Sequence, residues 1–381
     1  MSIVFSKGVI IMNIGTVKEI KMHEYRVGLT PNAALAYIKN GHNVYIEQKA
    51  GDGSSYTDDM YHKVGCTILK TAKEVFDTCE MVVKVKEPLA PEYSLMRKNQ
   101  IIYTYLHLAA DKELTEVMLK SKTIAVAYET ITDDQGGLPC LKPMSQIAGR
   151  LSVQEGAKYL EKPFGGRGIL LSGVPGVSTA EVVVLGAGVV GANAVKIATG
   201  MGAHVTVLDV DLTKLEYLDD LYFSKISTLY SSPENIQQVL KQADLVIGAV
   251  LIPGGAAPKL IRKEYLKDMK PGSVIVDVAI DQGGCSEVSH PTYHDDPVFL
   301  VDNVLNYCVG NMPGAVSNTS TNALNNATLE FGLKLANLGA EKAFKSDINL
   351  LNGLNTYKGK LTCKGVAMAH DLPYEDPLSL F

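Results

Sequence analysis

"VVVLGAGVVGANAVKIATGMGAHVTVLDVD", Val182 to Asp211, is the stretch on which the fold turns. Gly186, Gly188 and Gly191 spell GxGxxG. A β-branched run precedes them, and an Ala- and Val-rich run of helical length follows. A second apolar run then closes on Asp209, 18 residues after Gly191. Alone the glycine pattern is weak; in this strand–turn–helix–strand context it reads as a dinucleotide-binding unit. Gly186 permits the tight turn, Gly188 lets a pyrophosphate approach the backbone, and Gly191 lets helix and strand pack closely. The helix N-terminus then offers N–H groups and a partial positive charge to the phosphates. Asp209 suits the adenosine ribose hydroxyls and repels a 2′-phosphate, and no Arg directly follows it, which favours NAD over NADP. The bland alternative is a glycine turn in a fold that binds nothing.

Working outward, short apolar runs alternate with helical segments in both directions. Downstream are "ADLVIGAVL", "SVIVDVAI" and "VFLVDNV"; upstream are "NIGTVKE", "NVYIEQ", "MVVKVK", "QIIYTYLH" and "TIAVAYET". Between them lie helices such as "PNAALAYIKNG", with Pro31 in the first turn and Gly41 at the stop. Such alternation implies βαβ units and parallel sheets. "KPMSQIAGRLSVQEGAKYLEK" reads as one long helix. "PFGGRGILLSGVPGVSTA" reads as a connector between domains; its "GGRG" lacks the Gly-Lys-Ser/Thr of a P-loop and is favoured as a glycine turn. "NATLEFGLKLANLG" has the apolar spacing of a helix. The expected architecture is α/β, with two Rossmann-like doubly wound parallel-sheet domains. Residues 1–139 form the first part of a substrate domain, with 1–11 an N-terminal extension. Residues 140–307 form the inserted NAD domain with its linker helix, and 308–381 return to the discontinuous substrate domain.

Composition narrows the class. A chain of 381 residues suits two domains, and a net charge of −5 argues against nonspecific binding to nucleic acid or anionic membrane. No apolar stretch reaches membrane-spanning length, and the N-terminus lacks the layout of a secretory signal. The six cysteines form no CxxC pair, which fits free thiols and a cytoplasmic location. His290 and His294 in "HPTYH" are four residues apart, but Pro291 disfavours a helix through them, so a solvated loop is expected and no metal site.

Ligands in such sheets sit at the carboxyl ends of strands. Polar residues expected there are Arg26, Lys86, His107, Asp281, Asn303 and Asn311. Each has a plainer alternative. Arg26 offers a planar fork for a carboxylate, or a surface salt bridge with Glu24. Lys86 alternates with Lys84 on one strand face, which two solvated lysines explain as well. His107, ending "QIIYTYLH", is a proton-transfer group or a satisfied core imidazole. Asp281 is a functional carboxylate or a helix N-cap before "QGG".

Longer motifs sharpen the choice. "EYRVGLTP", "VVKVKEP", "YLHLAAD", "VAYET", "PMSQIAGRLSVQEGA", "GGRGILLSGVPGV", "VVLGAGVVGANA", "ADLVIGAVLIPGGAAPKL", "VDVAIDQGG" and "YCVGNMPGAVSNTSTNAL" together resemble the alanine dehydrogenase family. These are NAD-dependent enzymes that interconvert L-alanine and pyruvate plus ammonium. The resemblance runs from Met12 to the C-terminus, although residues 1–11 lie outside the pattern and the tail after about Leu350 is less characteristic. The alpha subunit of proton-translocating transhydrogenase shares the fold and "GVPGV", but its segments matching "YLHLAAD", "PMSQIAGR" and "AIDQGG" read differently. The resemblance implies that Arg26 and Lys86 hold the substrate carboxylate and that His107 and Asp281 are catalytic. It also implies an NAD site lined by Ser145, Val189, Val190, Asp209, Lys214, Ser231, Val250, Leu251, Val278, Asp281, Asn311 and Met312, with the glycine loop. Its partners would be small molecules, and family analogy adds a homo-oligomer, a hexamer.

Overall fold

A computed structural model describes residues 10–250 and 257–381. The chain divides into two compact units. One comprises the residues up to Pro143 together with Val316–Phe381, and the other is Met144–Ala315. Most of the expected N-terminal extension, residues 1–9, and Leu251 of the expected NAD site lie outside the described residues.

The first unit begins with β1 (Asn13–Thr16), β2 (Asn43–Glu47), β3 (Thr67–Leu69), β4 (Met81–Val83), β5 (Ile101–Thr104) and β6 (Ile124–Ala127). These six strands are parallel, in the spatial order β3-β2-β1-β4-β5-β6. The second unit contributes β7 (Glu181–Leu185), β8 (His204–Asp209), β9 (Ile226–Tyr230), β10 (Leu245–Gly248), β11 (Val274–Asp277), β12 (Val298–Val301) and β13 (Val304–Tyr307). Its sheet runs β12-β13-β11-β10-β7-β8-β9, parallel except at β12. The chain then returns to the first sheet through β14 (Leu354–Tyr357), antiparallel to β6, and β15 (Lys360–Leu361). In each sheet the strand order reverses beside the first strand, between β1 and β4 and between β7 and β10. The crevice beyond the carboxyl ends at such a point is where ligands bind in open α/β sheets.

The continuous apolar runs have a simple cause. β4, β5, β6, β10, β11 and β13 are buried at every position, as strands covered on both faces must be. The helices also form where expected. Pro31–Lys39 has Pro at its start, and Thr30 Oγ1 caps it by accepting from Ala33 N at 3.1 Å. Lys142–Tyr159 is one helix, and Ser317–Leu338 is another.

Three expectations change. "VFLVDNV" is not one strand: Asp302 and Asn303, both at positive φ, close a hairpin between β12 and β13. Because β12 runs antiparallel, this turn lies at the opposite edge from the parallel strands' carboxyl ends. The Asn303 carbonyl accepts from Gly272 N, just before β11, at 2.7 Å, so Asn303 leaves the candidate site. "MVVKVK" is strand only over Met81–Val83. "PFGGRGILLSGVPGVSTA" lies within the second unit, where Arg167 N donates to Gly272 O at 3.0 Å and its guanidinium lies 3.3 Å from Asp244. Among the described residues no helix is long and apolar enough to cross a membrane.

Candidate active site

In the first unit the loop from β1 to the helix Pro31–Lys39 carries Arg26. Gly28 lets this loop cross the end of β4, since a Cβ there would sit 2.4 Å from Val83 O. The helix Ser317–Leu338 holds the loop's backbone: Thr321 Oγ1 accepts from Val27 N at 3.3 Å and Asn325 Oδ1 from Thr30 N at 2.8 Å. Thr321 and Asn325 are one turn apart on this helix, so one face of its polar N-terminal stretch serves the loop.

Arg26 is buried, and its pair with Glu24 is bidentate: Nε donates to Oε1 at 2.6 Å and Nη2 to Oε2 at 2.5 Å. Both side chains are nearly inaccessible, so the surface salt bridge considered for this pair is instead an internal one. Burial opposes the guanidinium charge, but the Glu24 hydrogen bonds and charge outweigh it and raise the pKa of Arg26.

Lys86 follows β4 and is partly buried. Burial first, and then the charge of Arg26, lower its pKa. Lys84 behaves differently from the solvated neighbour that alternation allowed. It is 0% exposed, with its ammonium 2.8 Å from Glu92 and 3.2 Å from Glu19. Glu19 also accepts from the backbone N–H of Val85 at 2.7 Å and of Lys86 at 3.3 Å. A buried carboxylate–ammonium–carboxylate triad thus fixes the backbone from which Lys86 projects.

His107 lies three residues beyond β5. Its side chain is exposed, not a core imidazole, and its backbone is left-handed at φ +50°. That conformation is costly for a residue with a Cβ and persists only where its surroundings enforce it. Here Glu129, just after β6, enforces it: Oε1 accepts from His107 N at 2.7 Å and Leu106 N at 3.0 Å, and Oε2 from Leu106 N at 3.2 Å. The imidazole stacks on Tyr105, with ring centroids 6.1 Å apart. Tyr105 is itself anchored through its hydroxyl to Cys140 O at 2.6 Å. Arg26, Lys86, His107 and Glu129 therefore all leave the carboxyl ends of β1, β4, β5 and β6, at one edge of one sheet.

In the second unit the three glycines differ in geometry. Gly186 has φ +104°. A Cβ at Gly191 would lie 1.7 Å from Gly186 O, whereas one at Gly188 would meet nothing within 4 Å. The helix Val189–Gly200 starts without a side-chain cap, leaving its first N–H groups for an anion. Asp209 ends β8, with Oδ2 accepting from Ala187 N at 2.6 Å and Oδ1 from Asp211 N at 2.9 Å. Each oxygen keeps a lone pair that a ribose hydroxyl can use. This donor set fits a dinucleotide.

Of the remaining expected residues, some follow strands of this sheet and others lie on helices. Val189 and Val190 open the glycine-loop helix, with Val189 exposed. Ser231 follows β9, its N–H on Asp209 O at 3.0 Å. Val250 follows β10, and its N lies 3.2 Å from where a Gly186 Cβ would stand. Val278 follows β11. Asn311, at φ +57°, and buried Met312 follow β13. Lys214 is on the helix Leu212–Tyr222, 3.3 Å from Asp211 in an exposed pair. Ser145 is in the first turn of Lys142–Tyr159. Asp281 is an exposed residue inside the 3-10 helix Val278–Gln282. Capping is done by Asp277, which accepts from Ala279 N at 3.1 Å, so the N-cap alternative for Asp281 falls.

Residues 15–148 match the family description "Alanine dehydrogenase/PNT, N-terminal domain", and 152–364 match "Alanine dehydrogenase/PNT, C-terminal domain". The chain belongs to the alanine dehydrogenase/PNT family. An alanine dehydrogenase of Methanococcus maripaludis is 54% identical over 95% of this chain and 98% of its own length. One from Halomonas elongata is 51% identical over 97% and 100%. A solved L-alanine dehydrogenase structure superposes with a TM-score of 0.92 at 49% identity, covering 94% of this chain and 99% of that one. A transhydrogenase from Sinorhizobium meliloti shares the fold at a TM-score of 0.80 and 24% identity.

Proposed function

We propose that this chain interconverts L-alanine and pyruvate plus ammonium with NAD as the redox partner. The observation that carries the reading is the cluster of Arg26, Lys86 and His107 at one sheet edge, in a chain 54% identical to an alanine dehydrogenase. The balanced reaction is alanine, NAD⁺ and water giving pyruvate, ammonium, NADH and a proton. NAD, when bound, takes the hydride from the substrate Cα and returns it in the reverse direction.

The chain's own groups do the rest. Arg26 and Lys86 bind the substrate carboxylate. Glu24 fixes the plane of the Arg26 fork, and the Glu19–Lys84–Glu92 triad fixes the backbone of Lys86. Loss of hydride leaves an iminium, which water attacks; the carbinolamine then collapses to pyruvate and ammonium. His107 hydrogen-bonds the substrate oxygen, taking its proton in this direction and returning it in the other. Asp281 orients the water or ammonium and stabilises the developing positive charge. Gly186, Gly188, Gly191 and Asp209 hold the dinucleotide, with Ser145, Val189, Val190, Lys214, Ser231, Val250, Val278, Asn311 and Met312 around it; Leu251 belongs to the same set.

His107→Ala tests the assignment. Turnover should fall by ~100-fold or more, as for loss of a general acid–base group. NADH binding, followed by fluorescence titration, should stay near that of the parent. Parental turnover in this variant would refute the role of His107.

A further inference from the structure

Asp281 stands on a weak support. The 3-10 helix that carries it spans only Val278–Gln282, and hydrogen-bond geometry in such helices is poor. Two consecutive left-handed glycines follow, Gly283 at φ +89° and Gly284 at φ +77°. Their turn gathers the carbonyls of Gly283, Gly284 and Ser286 around one point. The Lys259 ammonium occupies that point, donating to Gly283 O at 2.5 Å, Gly284 O at 2.9 Å and Ser286 O at 3.0 Å. All three of its protons are thereby used. Among the described residues it pairs with no carboxylate.

The opposite side of the loop is held by Asp277. Its buried carboxylate accepts from Cys285 N at 2.8 Å, Ser286 N at 3.2 Å and Ser289 Oγ at 2.6 Å, besides Ala279 N. The backbone beside Lys259 adds Ala257 N to Gln282 O at 3.0 Å and Leu260 N to Cys285 O at 2.8 Å. An anion thus clamps the loop's N–H groups while a cation clamps its carbonyls. Asp281 lies between Asp277 and the Lys259-bound turn. Its Oδ1 is 3.0 Å from where a Gly310 Cβ would stand, so the carboxylate lies close against the backbone that follows β13 and has little room to be displaced toward it.

We infer that Lys259 is a positioning residue for Asp281: by gathering the Gly283, Gly284 and Ser286 carbonyls it fixes the catalytic carboxylate, without touching substrate itself. The inference rests on the catalytic reading of Asp281. Removing the ammonium leaves three convergent carbonyl dipoles unneutralised, and the turn opens toward water.

The test is a double-mutant cycle on the full-length protein with pyruvate, ammonium and NADH. Lys259→Met keeps most of the unbranched side-chain length and removes the donors. Its kcat should fall by about 10- to 100-fold, the cost of a displaced catalytic group. KM for pyruvate and the thermal midpoint should stay near the parent's, and Lys259→Arg should recover part of the loss. In an Asp281→Asn background, read at high enzyme concentration, Lys259→Met should add less than about threefold, because coupled residues are not additive. Parental kcat in Lys259→Met, or the same factor in both backgrounds, would overturn the inference. If Asp281→Asn is impaired while Lys259→Met is silent, only the role of Lys259 falls. If Asp281→Asn itself keeps parental kcat, the assignment of Asp281 falls and this inference with it.

Discussion

Glu129 offers the sharpest perturbation of the proposed proton-transfer group, because it contacts His107 only through backbone. Glu129→Ala removes the acceptor for Leu106 N (3.0 and 3.2 Å) and His107 N (2.7 Å). Leu106 is buried, and an unpaired buried N–H costs about 1–3 kcal/mol. The His107 N–H is exposed and water can replace its partner, so about 0.5–1.5 kcal/mol is lost there. What held the left-handed residue is then gone, and that conformation costs about 1–2 kcal/mol. Relaxing the loop relieves the left-handed strain and lets water reach the freed N–H groups but gives up part of the local packing, so a net bias of about 1.4–2.8 kcal/mol toward the relaxed loop leaves roughly one-tenth to one-hundredth of molecules with His107 correctly placed. The expectation is therefore a kcat ~10- to 100-fold lower. Glu129→Gln keeps an oxygen acceptor without the charge, and its loss should be about three- to tenfold. The assay is steady-state NADH oxidation with saturating pyruvate and ammonium, paired with thermal unfolding and NADH titration. A Glu129→Ala protein with unchanged kcat would refute the reasoning, as would one whose NADH affinity fell in step with kcat.

Other outcomes follow from the same geometry. Burial and Arg26 lower the pKa of Lys86, so its ammonium is present below that lowered value and is lost as pH rises through it. KM for pyruvate should then climb at a lower pH than an ordinary lysine would give, and the climb should vanish in Lys86→Arg, which stays charged; an identical alkaline climb in that variant would contradict the assignment. Asp209→Ala should weaken NAD and narrow its kcat/KM advantage over NADP, since it removes both the proposed ribose acceptor and the partner of Ala187 N; an unchanged ratio would show that specificity lies elsewhere. The two glycines should separate by assay. Gly191→Ala places a Cβ 1.7 Å from Gly186 O and should lower the thermal midpoint. Gly188→Ala meets no protein atom within 4 Å and should keep the midpoint while losing NAD affinity.

Much of this was legible in the sequence because its signals are local. The glycine turn and its close helix packing, the buried strands and the Pro31 helix start depend on residues a few positions apart. What stayed hidden depends on distant partners. Alternation placed Lys84 and Lys86 alike, but only the fold brings Glu19, 65 positions away, to bury one of them. Glu129 was visible within "VAYET" with no hint of its task, because its partners are backbone N–H groups 22 and 23 residues upstream. The cap on the Asp281 helix lies at Asp277, four residues before the position considered, because β11 ends there. Asn303 was misplaced because one apolar run conceals a hairpin whose first strand is antiparallel.

The most direct measurement is initial-rate NADH formation from L-alanine and NAD, run beside D-alanine, glycine and NADP. The account predicts rapid reduction with L-alanine and NAD, little with D-alanine, and a large preference for NAD over NADP. No NADH from L-alanine in the folded protein would contradict it.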